Sequence, residues 1–289
     1  NILKFPPNIL DGDLNTEKIE ENLARIKNLS VDEYREQTGT QSTHKKRPGA
    51  KAVIHTLEGE IINPQEKGPF YSVEMELPFG DEMRRIGIIA QERSSKNGAW
   101  MPCHHQLASV AIQRFEERSL PIIFFIDTPG AEAGEEANGQ NQAHSISQLI
   151  CDSTRADVPT VGIIIGVGYS GGAIPLASTN LLLSVRDGIF NTIQPQGLQS
   201  IARKFNLSWQ ECAQSVGVSP EELYAHGWLD GIIDYSPLDS VNGSTIQKQG
   251  LQKQSLPEEN FKKSNLQKAM ISSIEAVEAA AIGLTEKTR

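Results

Sequence analysis

Two glycine-rich turns, each at the end of an apolar run, hold the residues with the clearest chemical potential. The first is Gly130-Ala131 in IIFFIDTPGA, from Ile122 to Ala131, and the second is Gly171-Gly172-Ala173 in TVGIIIGVGYSGGAIPLA, from Thr160 to Ala177. Each apolar run is too short to span a bilayer and is bounded by turn residues, so it reads as a buried strand. A residue without Cβ permits positive φ and lets backbone N–H groups approach a ligand closely. The start of a following helix adds orphan N–H donors and the positive end of its dipole. Together the turns would stabilise negative charge on an acyl or ureido oxygen, an effect worth ~3–4 kcal/mol of barrier per donor.

Other chemistries compete for the same residues. Gly168-Tyr169-Ser170-Gly171-Gly172 satisfies G-x-S-x-G between a strand and a helix, the setting of a nucleophile elbow, and Asp187 and His226 follow in the required order. Asp187, however, falls on or beside the very next strand, which is close for the acid of a hydrolase. Cys103-His104-His105 with His144 invites a metal reading. Consecutive residues near a helix start project in different directions, and no carboxylate or CxxC pair supports them, so no metal site is expected. Trp100, Trp209 and Trp228 are expected in the core or at an interface.

The elements that must carry the turns follow from pattern. With 289 residues, 38% hydrophobic and 22% charged, the composition is that of a soluble α/β protein able to bury a sizeable core. The formal net charge of −9 argues against nucleic acid, although Lys45, Lys46 and Arg47 could meet a phosphate. Three separated cysteines support neither a disulfide framework nor a zinc ribbon, which makes a reducing cytoplasm the default. No long apolar run or leader is visible, implying an untargeted protein or one whose leader was removed; the sequence starts at Asn1 without Met, so preceding residues are expected.

Asn15 or Thr16 opens an amphipathic segment with Ile19, Leu23 and Ile26 on one face, and Ser30 to Glu33 has capping-box spacing. Residues 1–49 therefore read as a helical arm that ends in the linker-like THKKRPG. Ala52 to Leu57, Tyr71 to Leu77 and Ile86 to Gln91 predict strands of a small antiparallel layer, with PFGDEM as a turn. A helix through Leu107, Val110, Ala111 and Phe115 stops before Pro121 and the first apolar strand. One helix is expected over Glu136 to Arg155, then the second strand, a short helix near Gly171 and a strand from Asn180 to Val185, a βαβ succession with a parallel sheet. Ser219 and Pro220 start another helix before the strand Ile232-Ile233. Residues 50–240 form the expected main domain, and 241–289 a polar loop and an amphipathic helix from Leu266 through Met270, Ile274, Val277 and Ala281.

Several motifs in a fixed order carry a resemblance: IDTPGA, Gly139-Gln140, RADVP with IIIGVGYSGGA, IQPQG at Ile193 to Gly197, and LDGII from Leu229. Over about Ile86 to Asp234 they resemble the α-type carboxyltransferase subunit of bacterial acetyl-CoA carboxylase. The family pattern there is approximately IDTPGAYPG, EERGQ, VPV, IGEGGSGGAL, SPEG and a closing run. The resemblance implies an α/β crotonase-like spiral of ββα units, here with an N-terminal helical arm and a C-terminal helix. This chain departs from the pattern at Val167 and Tyr169, which stand in GVGYSGGAI where the family has GEGGSGGAL, and at Gln196, where the family has glutamate.

The resemblance further implies a reaction, carboxyl transfer from carboxybiotin to the α-carbon of an acyl-CoA, in fatty acid biosynthesis. By the same resemblance, Gly171, Gly172 and Ala173 would supply the oxyanion donors, with Gly130 or Ala131 as the companion turn, and Gly168, Tyr169, Ser170, Gln196 and Gly197 would line the biotin site. Biotin would arrive on a biotin carboxyl carrier protein, and a β-type carboxyltransferase subunit would complete a hetero-oligomer without nucleic acid or membrane. Clp-type proteases share the fold and place their serine at Ser170, but their histidine precedes a Gln-Pro pair where this chain has Ile193. Hydratases of the fold use two glutamates at positions that correspond to Ile174 and Gln196, neither of which is an acid or base. A biotin-independent malonyl thioester decarboxylase subunit and a non-catalytic scaffold subunit remain as alternatives.

Overall fold

Side-chain alternation along the two apolar runs divides the core between the faces of one sheet. The computed structural model describes residues 10–42, 47–238 and 264–287. Ile123, Phe125, Ile163 and Ile165 join one hydrophobic cluster, while Ile122, Phe124, Ile126 and Ile164 join another. A strand covered on both faces needs apolar residues at every position, which is why these runs show no polar alternation.

The eight-stranded sheet begins antiparallel, with β1 (Glu60–Lys67), β2 (Phe70–Phe79) and β3 (Glu82–Gln91), and continues parallel through β4 (Ile122–Thr128), β5 (Thr160–Tyr169) and β6 (Leu181–Val185). β7 (Ile189–Asn191) pairs with the last residues of β5, and β8 (Gly231–Ile233) closes the order beside β6. The helices of the arm are α1 (Thr16–Lys27) and α2 (Val31–Ser42), followed by α3 (Ala50–Ile54). α4 (Pro102–Glu117), α5 (Glu135–Gly139), α6 (Gln142–Arg155) and α7 (Ser170–Ala177) come next, then α8 (Pro195–Ile201), α9 (Trp209–Val216), α10 (Pro220–Ala225) and α11 (Asn265–Lys287). α3 and α11 cover one sheet face through Ala50, Val53, Leu266 and Met270, and α4, α6 and α7 cover the other through Ala111, Phe115, Leu149 and Leu176.

Three expectations change. Ala52 to Leu57 contains a helix rather than a strand, because Ala50, Val53 and Ile54 share one buried helical face. The missing strand is β1, a largely exposed edge whose polar sequence hides it; Pro64 falls in its register shift, the kind of position a strand proline tolerates. The helix expected from Glu136 to Arg155 breaks at Asn141, which has φ +63. The polar stretch 239–263 lies outside the described residues. α8 and α9 have no counterpart among the elements expected from pattern.

The arm is fastened by caps and a bridge. Asn15 Oδ1 accepts from Lys18 N–H at 2.8 Å to start α1, and Ser30 and Glu33 form the capping box of α2. Leu14 and Ile19 pack on Ile232, Leu14 N–H donates to the Ile232 carbonyl at 2.7 Å, and Ile232 N–H donates to Asp13 Oδ1 at 2.9 Å. Burial pushes the Asp13 carboxyl up to about 6, against the two backbone N–H groups that pull it down.

The folded protein thus holds the Asp13 proton more tightly than the unfolded chain, whose aspartates titrate near ~4. Its contribution to stability is full below about pH 4 and is lost as pH rises to about 6. Asp13→Asn keeps Oδ1, the atom that accepts both N–H groups. It should raise the melting temperature at pH 7 and flatten the slope between about pH 4 and 6. Melts across that range check this, and an unaltered slope would contradict it.

Candidate active site

The β4–β5 ladder shifts register between Ile126 and Thr128, which leaves Asp127 outside regular pairing at the end of β4. Side chains take over the missing bonds. Asp127 N–H donates to Gln91 Oε1 at 3.2 Å, and Val167 N–H donates to Asp127 Oδ1 at 3.1 Å. Arg47 grips the same fully buried carboxylate with Nε at 3.1 Å and Nη2 at 2.6 Å. Arg93 Nε stands 3.8 Å from Oδ2, and Arg93 Nη1 donates to the Arg47 carbonyl at 2.8 Å. Burial pushes the Asp127 carboxyl up, while the Arg47 hydrogen bonds and charge and the Val167 N–H pull it back. A Cβ on Gly166 would lie 2.5 Å from Asp127 Oδ1, so the glycine in β5 makes room for the pair.

Beyond Asp127 the first turn organises itself. Thr128 Oγ1 accepts from Gly130 N–H at 3.2 Å and donates to the Gly130 carbonyl at 2.9 Å, with Gly130 at φ +138. The Gly130 amide is therefore engaged, whereas no described residue accepts from Ala131 N–H. In the second turn, α7 starts at Ser170 and its N-cap Tyr169 supplies no side-chain cap, which leaves the first N–H groups, including those of Gly171 and Gly172, outside the helical ladder. Ala173, the fourth helical residue, donates into the ladder.

The positive φ of the second turn, +58, belongs to Ser170, not to a glycine. Gly172 serves close approach instead: a Cβ there would lie 2.5 Å from both Ala131 N and Gly130 C. The two turns thus meet backbone to backbone. Gly171 faces only Ile146, 3.1 Å from where its Cβ would stand.

A cleft of about 330 Å³ opens beside the turns, with Arg47, Arg93, Asn97, Tyr169, Gln194 and Gln196 among its lining residues. Gln194 Nε2 donates to the Pro129 carbonyl and so fastens β7's outgoing loop to the first turn. Tyr169 is buried, and burial pushes its hydroxyl well above the usual phenol range. Gly168 and Gly197 lie outside the lining: their Cβ directions meet Phe190 at 2.8 Å and Ile193 at 3.4 Å. Ser170 is exposed, and no described imidazole hydrogen-bonds its hydroxyl; Asp187 accepts from Ser236 Oγ at 2.8 Å, and His226 ends α10. His104 Nδ1 accepts from Met101 N–H at 3.0 Å, and His105 Nδ1 lies 3.1 Å from the Met101 carbonyl, so both rings serve the start of α4.

Sequence reasoning missed Gln91, Arg93 and Gln194, and named Arg47 only as a basic spot that could meet a phosphate, not as the buried partner of Asp127. Arg47 sits in a segment that reads as a linker, and only its pairing across 80 positions reveals its place. Gln91 carried a signal, a lone polar residue where an apolar strand ends.

A sheet of this order with two glycine turns at the ends of adjacent parallel strands is a crotonase-like fold. Residues 87–273 match the family described as acetyl co-enzyme A carboxylase carboxyltransferase-like. The carboxyl transferase subunit alpha of acetyl-coenzyme A carboxylase from Pelagibacter ubique is 31% identical over 249 residues, 80% of this chain and 67% of that one. Its counterpart from Brucella anthropi is 28% identical over 234 residues, 75% and 74% of the two chains. Among solved structures, a transcarboxylase 12S chain superposes with a TM-score of 0.57 at 16% identity over 89% of this chain, and the beta subunit of P. aeruginosa geranyl-CoA carboxylase with 0.51 at 19% identity over 65%. This chain spans 48% and 38% of those chains. It belongs to the acetyl-CoA carboxylase carboxyltransferase α-subunit family.

Removing the Asp127 carboxylate strands the Arg47 guanidinium in a buried setting, an error that costs about 3–5 kcal/mol. Asp127→Ala should show this loss in denaturant unfolding, and adding Arg47→Met should restore a large part of it. A loss under about 1 kcal/mol would mean that the pair is solvated.

Proposed function

We propose that this chain is the α-type subunit that helps transfer a carboxyl group from carboxybiotin to the α-carbon of an acyl-CoA, in a hetero-oligomer with a β-type carboxyltransferase subunit and a biotin carboxyl carrier protein. The observation that carries the reading is the close backbone approach of the two turns, where a Cβ on Gly172 would lie 2.5 Å from Ala131 N, next to a cleft lined by Pro129 and Tyr169 of the same turns; on that ground we assign the N–H groups of Gly171, Gly172 and Ala131 to one oxyanion region. The bound biotin group supplies the carboxyl to be moved.

The residues present suit that group. A ureido ring offers one strong acceptor oxygen, and the unclaimed backbone amides are donors. The described cleft lining contains two guanidinium groups, three carboxamides and a phenol but no carboxylate. Arg47 and Arg93 favour a carboxylate in the cleft, and Tyr169 with Gln196 lines the wall along which a flat ring would lie. As negative charge develops on the oxygen, the Gly171, Gly172 and Ala131 amides strengthen their hydrogen bonds without moving, which lowers the barrier more than it tightens ground-state binding. The described lining of this cleft offers no imidazole or carboxylate to take a proton from the acyl α-carbon.

Gly172→Ala tests the amide reading, since its Cβ would strike Ala131 N and Gly130 C and push the turns apart. Turnover per folded molecule in the reconstituted complex should fall ~10²–10³-fold with a smaller change in KM. A variant that melts like the parent and transfers carboxyl groups at the parent rate would remove these turns from the mechanism. Ser170→Ala should keep most activity, the parent should resist fluorophosphonate labelling, and the chain without its β-type partner should be inactive. Stoichiometric labelling at Ser170 would favour a hydrolase instead.

A further inference from the structure

One side chain that the reaction itself does not touch links the residue leading into the first turn to the second turn. Gln91, the last residue of β3, is fully buried. Its Oε1 accepts Asp127 N–H at 3.2 Å, and its Nε2 donates to the Gly172 carbonyl at 2.7 Å. Those partners fix the amide's orientation, because an N–H needs the oxygen and a carbonyl needs the nitrogen.

The position explains the need. Backbone pairing of β3 with β4 runs from Gly87–Ile122 to Ala90–Phe125 and then stops, and the β4–β5 ladder breaks just beyond, around Asp127. The β4–β5 ladder resumes at Thr128–Gly168, so Gln91 bridges the one β4 position that the strand pairing skips. We infer that Gln91 is a positioning residue that locks the two oxyanion turns into one rigid unit, holding Ala131 N–H in register with the N–H groups of Gly171 and Gly172. This inference rests on the proposed carboxyltransferase reading, but the clasp itself is a property of this chain.

Donor placement within a fraction of an ångström decides how much charge stabilisation survives, and a misplacement of about 1 Å can cost ~10²-fold in rate. An apolar residue of similar size would fill the space but leave Asp127 N–H and the Gly172 carbonyl without partners. A glutamate would behave differently. In its neutral form the carboxylic acid reproduces both bonds, donating to the Gly172 carbonyl and accepting from Asp127 N–H; ionised, it can only accept. The neighbouring charges are Asp127 with Arg47 and Arg93, and Glu92 next along the chain.

The test pairs Gln91→Leu and Gln91→Glu in the reconstituted complex with amide hydrogen exchange on the same samples. Gln91→Leu should lower kcat ~10- to 100-fold with little change in KM, and exchange at residues 127–131 and 170–173 should quicken at least ~10-fold. Gln91→Glu should recover turnover as pH falls and lose it as the new carboxyl ionises, a pH dependence absent from the parent. Parent-like exchange in Gln91→Leu, or a parent-like pH profile in Gln91→Glu, would overturn the clasp. Quickened exchange with unchanged turnover would keep the clasp as a structural device, overturn its positioning role and count against the turns as oxyanion holes.

Discussion

The ion pair between Arg47 and Asp127 is the constraint on which the site's geometry depends. A carboxylate with negligible exposure survives in a sheet interior only if its lone pairs are used, and Arg47, Val167 N–H and the nearby Arg93 use them. The pair also joins distant parts of the chain. Arg47 precedes α3, Asp127 is the penultimate residue of β4, and Val167 belongs to β5, so one buried contact sets the segment before α3, the approach to the first turn and the strand leading to the second turn against each other. It weighs more as a specifier than as a stabiliser, because two desolvated charges recover in attraction roughly what they lose in hydration.

The frame of the two turns is readable in the sequence because it is local. Uninterrupted apolar runs at Ile122 and Thr160 announce doubly covered strands, and each ends in residues suited to a sharp turn, so the helix starting near Gly171 and the companion turn at Gly130 are expected from pattern alone. Ser219 with Pro220, and Ser30 with Glu33, announce their caps for the same reason. What stays hidden depends on tertiary context. AVIHTL suits a strand as well as a helix until its neighbours show that Ala50, Val53 and Ile54 face the core together. EIINPQEK gives no strand signal because an edge strand with a bulge needs little burial.

The glycines differ most between sequence and structure. Pattern assigns them conformational freedom in both turns, yet the left-handed residue of the second is Ser170. Gly172 is small because another backbone passes over it, and Gly166 because an ion pair does. Both demands come from residues some 40 positions upstream or more, so a local reading sees the glycine without the reason for it.

The two departures from the family pattern beside the second turn have a physical partner in the arm. Val167 and Tyr169 join a cluster with Ile26 of α1, Tyr34 of α2, Ile189, Ala213 and Val218. Tyr34 closes that cluster with its hydroxyl, which donates to Glu222 Oε2 at 2.8 Å and accepts from Val218 N–H at 3.2 Å. A glutamate at 167 would put a charge against these apolar side chains, and a glycine at 169 would leave the arm facing a void. Valine and tyrosine therefore fit as the apolar seat for the arm, with Tyr169 also forming a wall of the cleft. The residues that wall the cleft on one side are thus the same residues that seat the N-terminal helices, so the shape of the cleft and the packing of the arm depend on the same two side chains.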